Sequence, residues 1–188
     1  GQRFLDFCER FSGHFRCRTR TVEASARHYV RGLLQAETKN MERMEEAIPE
    51  ADHPALHHML SESAWPERAV LDQVAQDANR LLGGHTDSAL LIDESGCPKK
   101  GTQSVGVARQ WCGQLGKVEN CQVGVFAALS RGTDVTLIDE RLFLPEGWTS
   151  DLARCQAAGI PVTQRSFQRK TDLALTMITH ARQQSIGF

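Results

Sequence analysis

The residues with the clearest chemical potential are two acids that close an apolar run. Ala89-Leu90-Leu91-Ile92 leads directly into Asp93-Glu94 and Ser95-Gly96, and the basic stretch Cys97-Pro98-Lys99-Lys100-Gly101 follows at once. A short continuous apolar run bounded by a turn signal reads as a buried strand. An acid at the end of such a strand is held in fixed geometry at the edge of a core, which suits a carboxylate that must bind a hard divalent cation. Lysines beside it suit phosphate oxygens. Together they point to phosphoryl chemistry on a polyanion. The same aspartate also fits a plainer role as a turn or helix-cap residue.

A second cluster lies near the start of the chain. Between Arg10 and Arg31 there are six arginines (Arg10, Arg16, Arg18, Arg20, Arg27 and Arg31) against one acid, Glu23, and acids then dominate from Glu37 to Asp52. Arg16, Arg18, Arg20, Arg27 and Arg31 are candidates for contact with nucleic-acid phosphates, with Lys99 and Lys100 as further basic candidates; the alternative is a solvated helix face. Other residue types point away from particular chemistries. The six cysteines, at 8, 17, 97, 112, 121 and 155, include no CxxC spacing, which argues against a zinc site. His53, His57 and His58 lack partner cysteines or a carboxylate pattern and read as surface or packing residues.

The elements that must position these side chains come in two styles. The 188 residues are 40% hydrophobic and 24% charged with a net charge of -1, enough for one large domain or two small ones with a packed core. Residues 1–84 read as helices. Phe4, Phe7, Cys8, Phe11 and Phe15 form one apolar face interrupted by Gly13, and Thr21 to Leu34 forms a second helix. Thr38 or Asn40 starts a third helix through Ala47, and His53-Pro54 opens a fourth. Trp65-Pro66 opens the clearest helix, with Val70, Val74, Ala78 and Leu81 inward and Gly83-Gly84 as its stop.

From Thr86 the pattern becomes strands joined by glycine turns: Thr86 to Asp93, Ser104 to Trp111, Cys121 to Leu129 and Val135 to Leu144, an antiparallel meander. Gly106 and Gly124 lie inside strand patterns and mark a bulge or a close backbone approach. Thr149 or Ser150 caps a short helix ending at Gly159. Residues 160–170 read as a polar, mobile segment. A last helix runs from Thr171 to Gln184 with Leu173, Ala174, Met177, Ile178 and Ala181 inward. No stretch resembles a signal peptide and no apolar run has membrane-spanning length, so a reduced, cytoplasmic setting without membrane contact is expected.

Five blocks in order carry a resemblance. They are Leu91-Ile92-Asp93-Glu94-Ser95-Gly96, Lys99-Lys100-Gly101, Ser104-Val105-Gly106-Val107-Ala108-Arg109-Gln110, Glu119-Asn120-Cys121-Gln122-Val123-Gly124-Val125-Phe126, and Leu137 to Pro145 with Trp148. They resemble the bacterial insertion-sequence transposases with a DDE superfamily endonuclease domain. The helical front, including Glu37 to Glu42 and Ser61 to Trp65, is similar to the region such enzymes carry ahead of the catalytic domain.

The resemblance implies an α+β (mixed α/β) chain: a helical, DNA-binding domain over 1–84, then a partial ribonuclease H-like catalytic domain over 85–188. It implies Asp93 as the first of three acids that hold two divalent ions, Mg2+ or Mn2+. Such ions activate a water or a DNA 3′-hydroxyl for in-line displacement at a phosphodiester. It further implies transposon-end and target DNA as partners, a homo-oligomer when active, and a nucleoid-associated bacterial setting. The second acid is expected beyond the helix that ends near Gln184 and the third later still, so the chain, which begins at Gly1 rather than Met, reads as the excised or truncated front of a transposase. Glu94, Asp139 and Glu140 are not assigned those roles. Two other readings stand beside it. One is a truncated, catalytically inactive fragment that binds DNA or the transposase. The other is an unrelated ribonuclease H-like or actin-like ATP-binding domain, which the absence of a Walker-type loop disfavours.

Overall fold

A computed structural model describes residues 1–17 and 20–188. It is a mixed α/β structure with eight α-helices and one four-stranded antiparallel sheet among the described residues. It divides into two compact units, Gly1–Gln73 and Val74–Phe188.

The first unit is helical. Helices α1 (Gln2–Ser12), α2 (Glu23–Gln35), α3 (Met41–Ala47) and α4 (His53–Ser61) succeed one another, and α5 (Glu67–Leu82) begins here. The side chain of Asn40 accepts the Arg43 N–H and caps α3, and Asp52 caps α4 by accepting the Ala55 N–H, with Pro54 in the first turn. The core of α2, α3 and α4 is Ala36, Met44, Ile48, Ala51 and Leu56, flanked by Tyr29, Met41 and Ala47. Gly32 lets α2 approach α3, since a Cβ there would lie 2.5 Å from Met44 Cγ. Between α1 and α2, the Cys17 N–H donates to the Arg20 carbonyl and Arg16 bridges Thr21 in antiparallel fashion.

The second unit is the sheet, with strands β1 (Ser88–Pro98), β2 (Ala108–Cys112), β3 (Lys117–Arg131) and β4 (Asp134–Leu142). The long β3 pairs along one edge with β1, and along its other edge with β2 and β4, which lie end to end. Beyond them come α6 (Glu146–Thr149), α7 (Leu152–Ala157) and α8 (Lys170–Gln183). One sheet face carries Val125, Ala127, Leu129 and Ile138, and packs with Ala75, Ala78 and Leu82 of α5 and Leu173, Met177 and Ala181 of α8. Trp148, Cys155 and Ile160 form a satellite cluster; the Trp148 indole N–H donates to the Val107 carbonyl at 2.9 Å, and the Arg154 guanidinium stacks 3.6 Å from the Trp148 ring.

Several local expectations are corrected. Ser95-Gly96 is not a turn. β1 continues through it to Pro98, with Ser95 opposite Gly124 and Gly96 opposite Val123. Gly96 stays in the strand because its bare α-carbon lies against Cys112; a Cβ there would come 3.0 Å from the Cys112 sulfur. The run Ala89 to Ile92 is buried on one face only, and Leu91 is 50% exposed. On α5 the buried stripe is Ala75, Ala78 and Leu82, and Leu81 is exposed. Ser104 to Val107 forms a turn with Gly106 at φ +78°, so the second strand begins at Ala108. The helix cap after Pro145 is Asp151, which accepts the Arg154 N–H, rather than Thr149 or Ser150.

Candidate active site

Asp93 sits in the middle of β1, opposite Phe126 of β3. Side chains alternate across a strand, so neighbours in sequence face opposite ways. Leu90 and Ile92 pack on the core face, and Glu94 reaches Lys170 of α8 with Oε2–Nζ at 2.6 Å. Asp93 therefore belongs to the other, outer face with Leu91, and it is exposed. Its Oδ1 accepts the Glu94 backbone N–H at 2.8 Å, which leaves the rest of the carboxylate turned to solvent. The anchor of this position is the eleven-residue pairing of β1 with β3 rather than a strand end.

The surroundings of Asp93 are built by two features that periodicity alone does not show. The Phe126 ring lies against Gly124, its neighbour two residues back on the same face; a Cβ at Gly124 would stand 2.8 Å from the ring. The ring thus leans away from the row that Asp93 occupies and toward that of Ser95 and Leu142. The second feature is a β-bulge: Ala127 faces Asp139 while Ala128 faces Leu137, so Ile138 is the extra residue. Both bulge residues turn inward, with Ile138 3% and Asp139 6% exposed. Asp139 meets the Arg141 guanidinium at 3.0 Å and accepts the Glu140 N–H at 2.7 Å. Glu140 emerges on the outer face, opposite Phe126 and in one row with Asp93, about 10 Å away across two strand spacings. The bulge selects which of the adjacent acids of β4 reaches that face.

The described residues do not make a complete metal centre. No group of three or more His, Cys, Asp or Glu side chains among them is arranged to hold an ion. What the outer face presents in this row is two strand-borne, exposed carboxylates, Asp93 and Glu140, on either side of Phe126.

The basic candidates separate in space. Lys99 and Lys100 follow the far end of β1, six and seven residues past Asp93, which is about 20 Å along an extended strand. Their loop is pinned by Asn120, whose side-chain N–H donates to the Lys99 carbonyl at 2.6 Å and the Gly101 carbonyl at 2.9 Å. In the helical unit Arg16 and Arg20 lie between α1 and α2 and are exposed. Arg27 and Arg31 stand one turn apart on α2; Arg27 is exposed, and Arg31 is half-buried and paired with Glu50 at 3.2 Å. Arg18 lies outside the described residues.

The comparisons with known proteins agree with this architecture. The model of the DDE superfamily endonuclease family matches residues 10–188. A probable transposase for insertion sequence element IS701, from Microchaete diplosiphon, is 28% identical over 124 residues, which cover 65% of this chain and 32% of that protein. The chain therefore spans about a third of the length of this curated relative. No solved structure matches. No described helix is long and apolar enough to cross a membrane. With residues 10–188 of the chain matched by the family model, and a sheet that agrees with the opening strands of a ribonuclease H-like fold, the chain belongs to the DDE superfamily endonucleases.

Proposed function

We propose that this chain is the front portion of a DNA transposase, which cleaves transposon-end DNA and joins it to a target. Residues 1–84 serve as the DNA-binding part and 85–188 as the first part of the catalytic domain. The observation that carries the reading is the family match over residues 10–188 together with Asp93, fixed mid-strand and exposed. Asp93 is the first acid of the catalytic triad and one carboxylate ligand for Mg2+ or Mn2+. A single carboxylate holds such an ion weakly, since tight sites need several oxygen ligands, and this chain alone is expected not to cleave DNA. The active form is a homo-oligomer in the bacterial cytoplasm, associated with the nucleoid. Arg16, Arg18, Arg20, Arg27 and Arg31, with Lys99 and Lys100, neutralise phosphates of the bound DNA.

The decisive experiment uses a transposase that carries this chain together with the segments that complete its catalytic centre. Asp93→Asn there is expected to abolish both cutting and joining of element-end duplex while DNA binding persists. Cleavage by the Asn variant at the normal rate, or metal-dependent cleavage by the 188-residue chain that Asp93→Asn removes, would show the acids to be assigned wrongly. The DNA reading has its own test. Each phosphate contact contributes about 0.9 to the slope of log affinity against log salt on duplex DNA. Replacing Arg16, Arg20 and Arg27 with Ala should flatten that slope by about 2 to 3, and an unchanged slope returns these arginines to a solvated surface.

A further inference from the structure

The helical unit contains a groove of about 500 Å3 between α1 and α2. Its α1 side is apolar and partly open, with Phe4 half-buried and Leu5 48% exposed. Its α2 side carries Arg27 and Arg31 one turn apart and, on the same helix face, Leu34 at 69% exposure, with Glu50 bonded to Arg31 at 3.2 Å. A phosphate backbone alone needs only cations on an accessible surface. A concave site of this size, which joins an apolar wall to fixed cations, has the make-up of a site for a small ligand that is part flat and apolar, part anionic. His28, on the same groove, reports the local field. Burial first, then Arg27 and Arg31, hold its imidazole below the ordinary histidine value, against the opposing pull of Glu50.

We infer that this groove takes a single unpaired nucleotide of a DNA strand, with its phosphate at Arg27 and Arg31 and its base against Phe4, Leu5 and Leu34. This rests on the reading of the chain as a DNA-handling protein and adds to it a preference for unstacked nucleotides. A base held outside the stack exposes an apolar face that a duplex keeps covered, and contact with that face strengthens binding without reading sequence. Arg27 is the freer phosphate ligand, because Arg31 already shares its charge with Glu50. Leu34, the most exposed of these apolar side chains, is the position where base contact can be altered without touching the core of the unit.

The test is fluorescence anisotropy of this chain with three labelled duplexes at one salt concentration: blunt, carrying one unpaired nucleotide, and carrying an abasic residue at that place. The unpaired nucleotide should tighten binding about 10-fold over the blunt duplex, and removal of its base should erase the gain. Leu34→Gln should erase it too, with the blunt duplex unaffected. Arg27→Ala should weaken the unpaired-nucleotide duplex more than the blunt one. Leu81→Gln, at an exposed leucine of the other unit, should change neither. A deoxynucleoside monophosphate should compete where inorganic phosphate at the same concentration does not. Equal affinity for blunt and unpaired-nucleotide duplexes overturns the inference and leaves the DNA reading intact. Equal competition by phosphate reduces the groove to an anion site and also overturns it. Failure to bind any of the duplexes at low salt sinks both readings together.

Discussion

The two faces of the sheet share a backbone and almost nothing else. The inner face carries Val125, Ala127 and Leu129 of β3 at 3%, 1% and 0% exposure, closed over by α5 and α8. The outer face presents Leu91, Val135 and Leu137 at 50%, 61% and 59% exposure, with Asp93 and Glu140 in one row among them. Asp93 and Glu94 make the same contrast within a single peptide unit. Glu94 is tied to α8 through Lys170, whereas Asp93 keeps a carboxylate turned to solvent. The difference separates two duties. Burial on the inner face fixes the strands, and the fixed strands hold an outer-face carboxylate still without burying it. A charge kept in solvent costs little to present, whereas one placed inward would need a partner, as Asp139 has in Arg141.

The largest test of that division is Asp93 itself. In the cleaving enzyme Asp93→Asn is expected to remove activity; in this chain the same change should move unfolding free energy by no more than about 0.5 kcal/mol, as for an exposed surface site. Urea denaturation followed by circular dichroism measures it, and a loss above about 2 kcal/mol would make Asp93 a structural residue. Next in size is a matched pair of truncations. Leu129→Ala, on the inner face, should cost about 2–5 kcal/mol through lost burial and a residual cavity. Leu137→Ala, on the outer face, should stay near 0.5 kcal/mol. Similar costs for the two would mean that the outer face is covered in solution.

A smaller effect tests the tie between the faces. The Glu94–Lys170 pair is short at 2.6 Å but partly solvated, with side chains 36% and 30% exposed, and Lys170 also lies 5.3 Å from the Phe143 ring. A pair of this kind contributes about 0.2–1 kcal/mol. Glu94→Gln should lower stability by that amount and lose its effect in high salt, while cleavage in the complete enzyme continues. Cleavage abolished by Glu94→Gln would move catalysis onto the inner face and dissolve the contrast.

Most of the fold was legible because its signals are local. Asn40 and Pro54 sit at the helix starts where capping chemistry places them, and alternation in β3 is nearly perfect from Cys121 to Ser130. What could not be read depends on partners far along the chain. Ser95-Gly96 is a turn signal by composition, and only pairing with Val123 and Gly124 keeps it extended. Leu81 and Leu82 are adjacent and equally apolar, and only the packing of α5 decides that Leu82 is buried. At the candidate site, the apolar run before an acid pointed to Asp93. The bulge at Ile138, which sends Asp139 inward and Glu140 outward, left no signal in a run that reads as a simple strand. The leaning of Phe126 over Gly124 was signalled only by a glycine inside a strand pattern, which marks a close approach without naming what approaches.

The smallest expected effect concerns the start of α8, the helix that closes the inner face. Asp172 caps the start of α8 from one side: its carboxylate accepts both the Arg169 backbone N–H and the Arg169 guanidinium, each at 3.1 Å. The guanidinium hydrogen bond first, then the backbone one, hold the Asp172 carboxyl below its ordinary value. A carboxyl whose folded value is depressed binds its proton more readily in the unfolded chain. Its contribution to stability is therefore fully present at neutral pH, and it is lost as pH falls through the ordinary carboxylate range toward the lower folded value. Both groups are exposed enough for water and salt to screen the interaction, so the effect should be local rather than global. Arg169→Ala should raise the Asp172 titration midpoint, followed by carboxylate NMR, toward the ordinary value. It should also speed amide exchange in the first turn of α8 at pH 7 more than at pH 3, and leave the amides of β3 unchanged. An Asp172 midpoint unmoved by Arg169→Ala would mean that the cap does not hold in solution. Faster exchange throughout β3 would mean that the inner face depends on this helix end far more than its exposed geometry suggests.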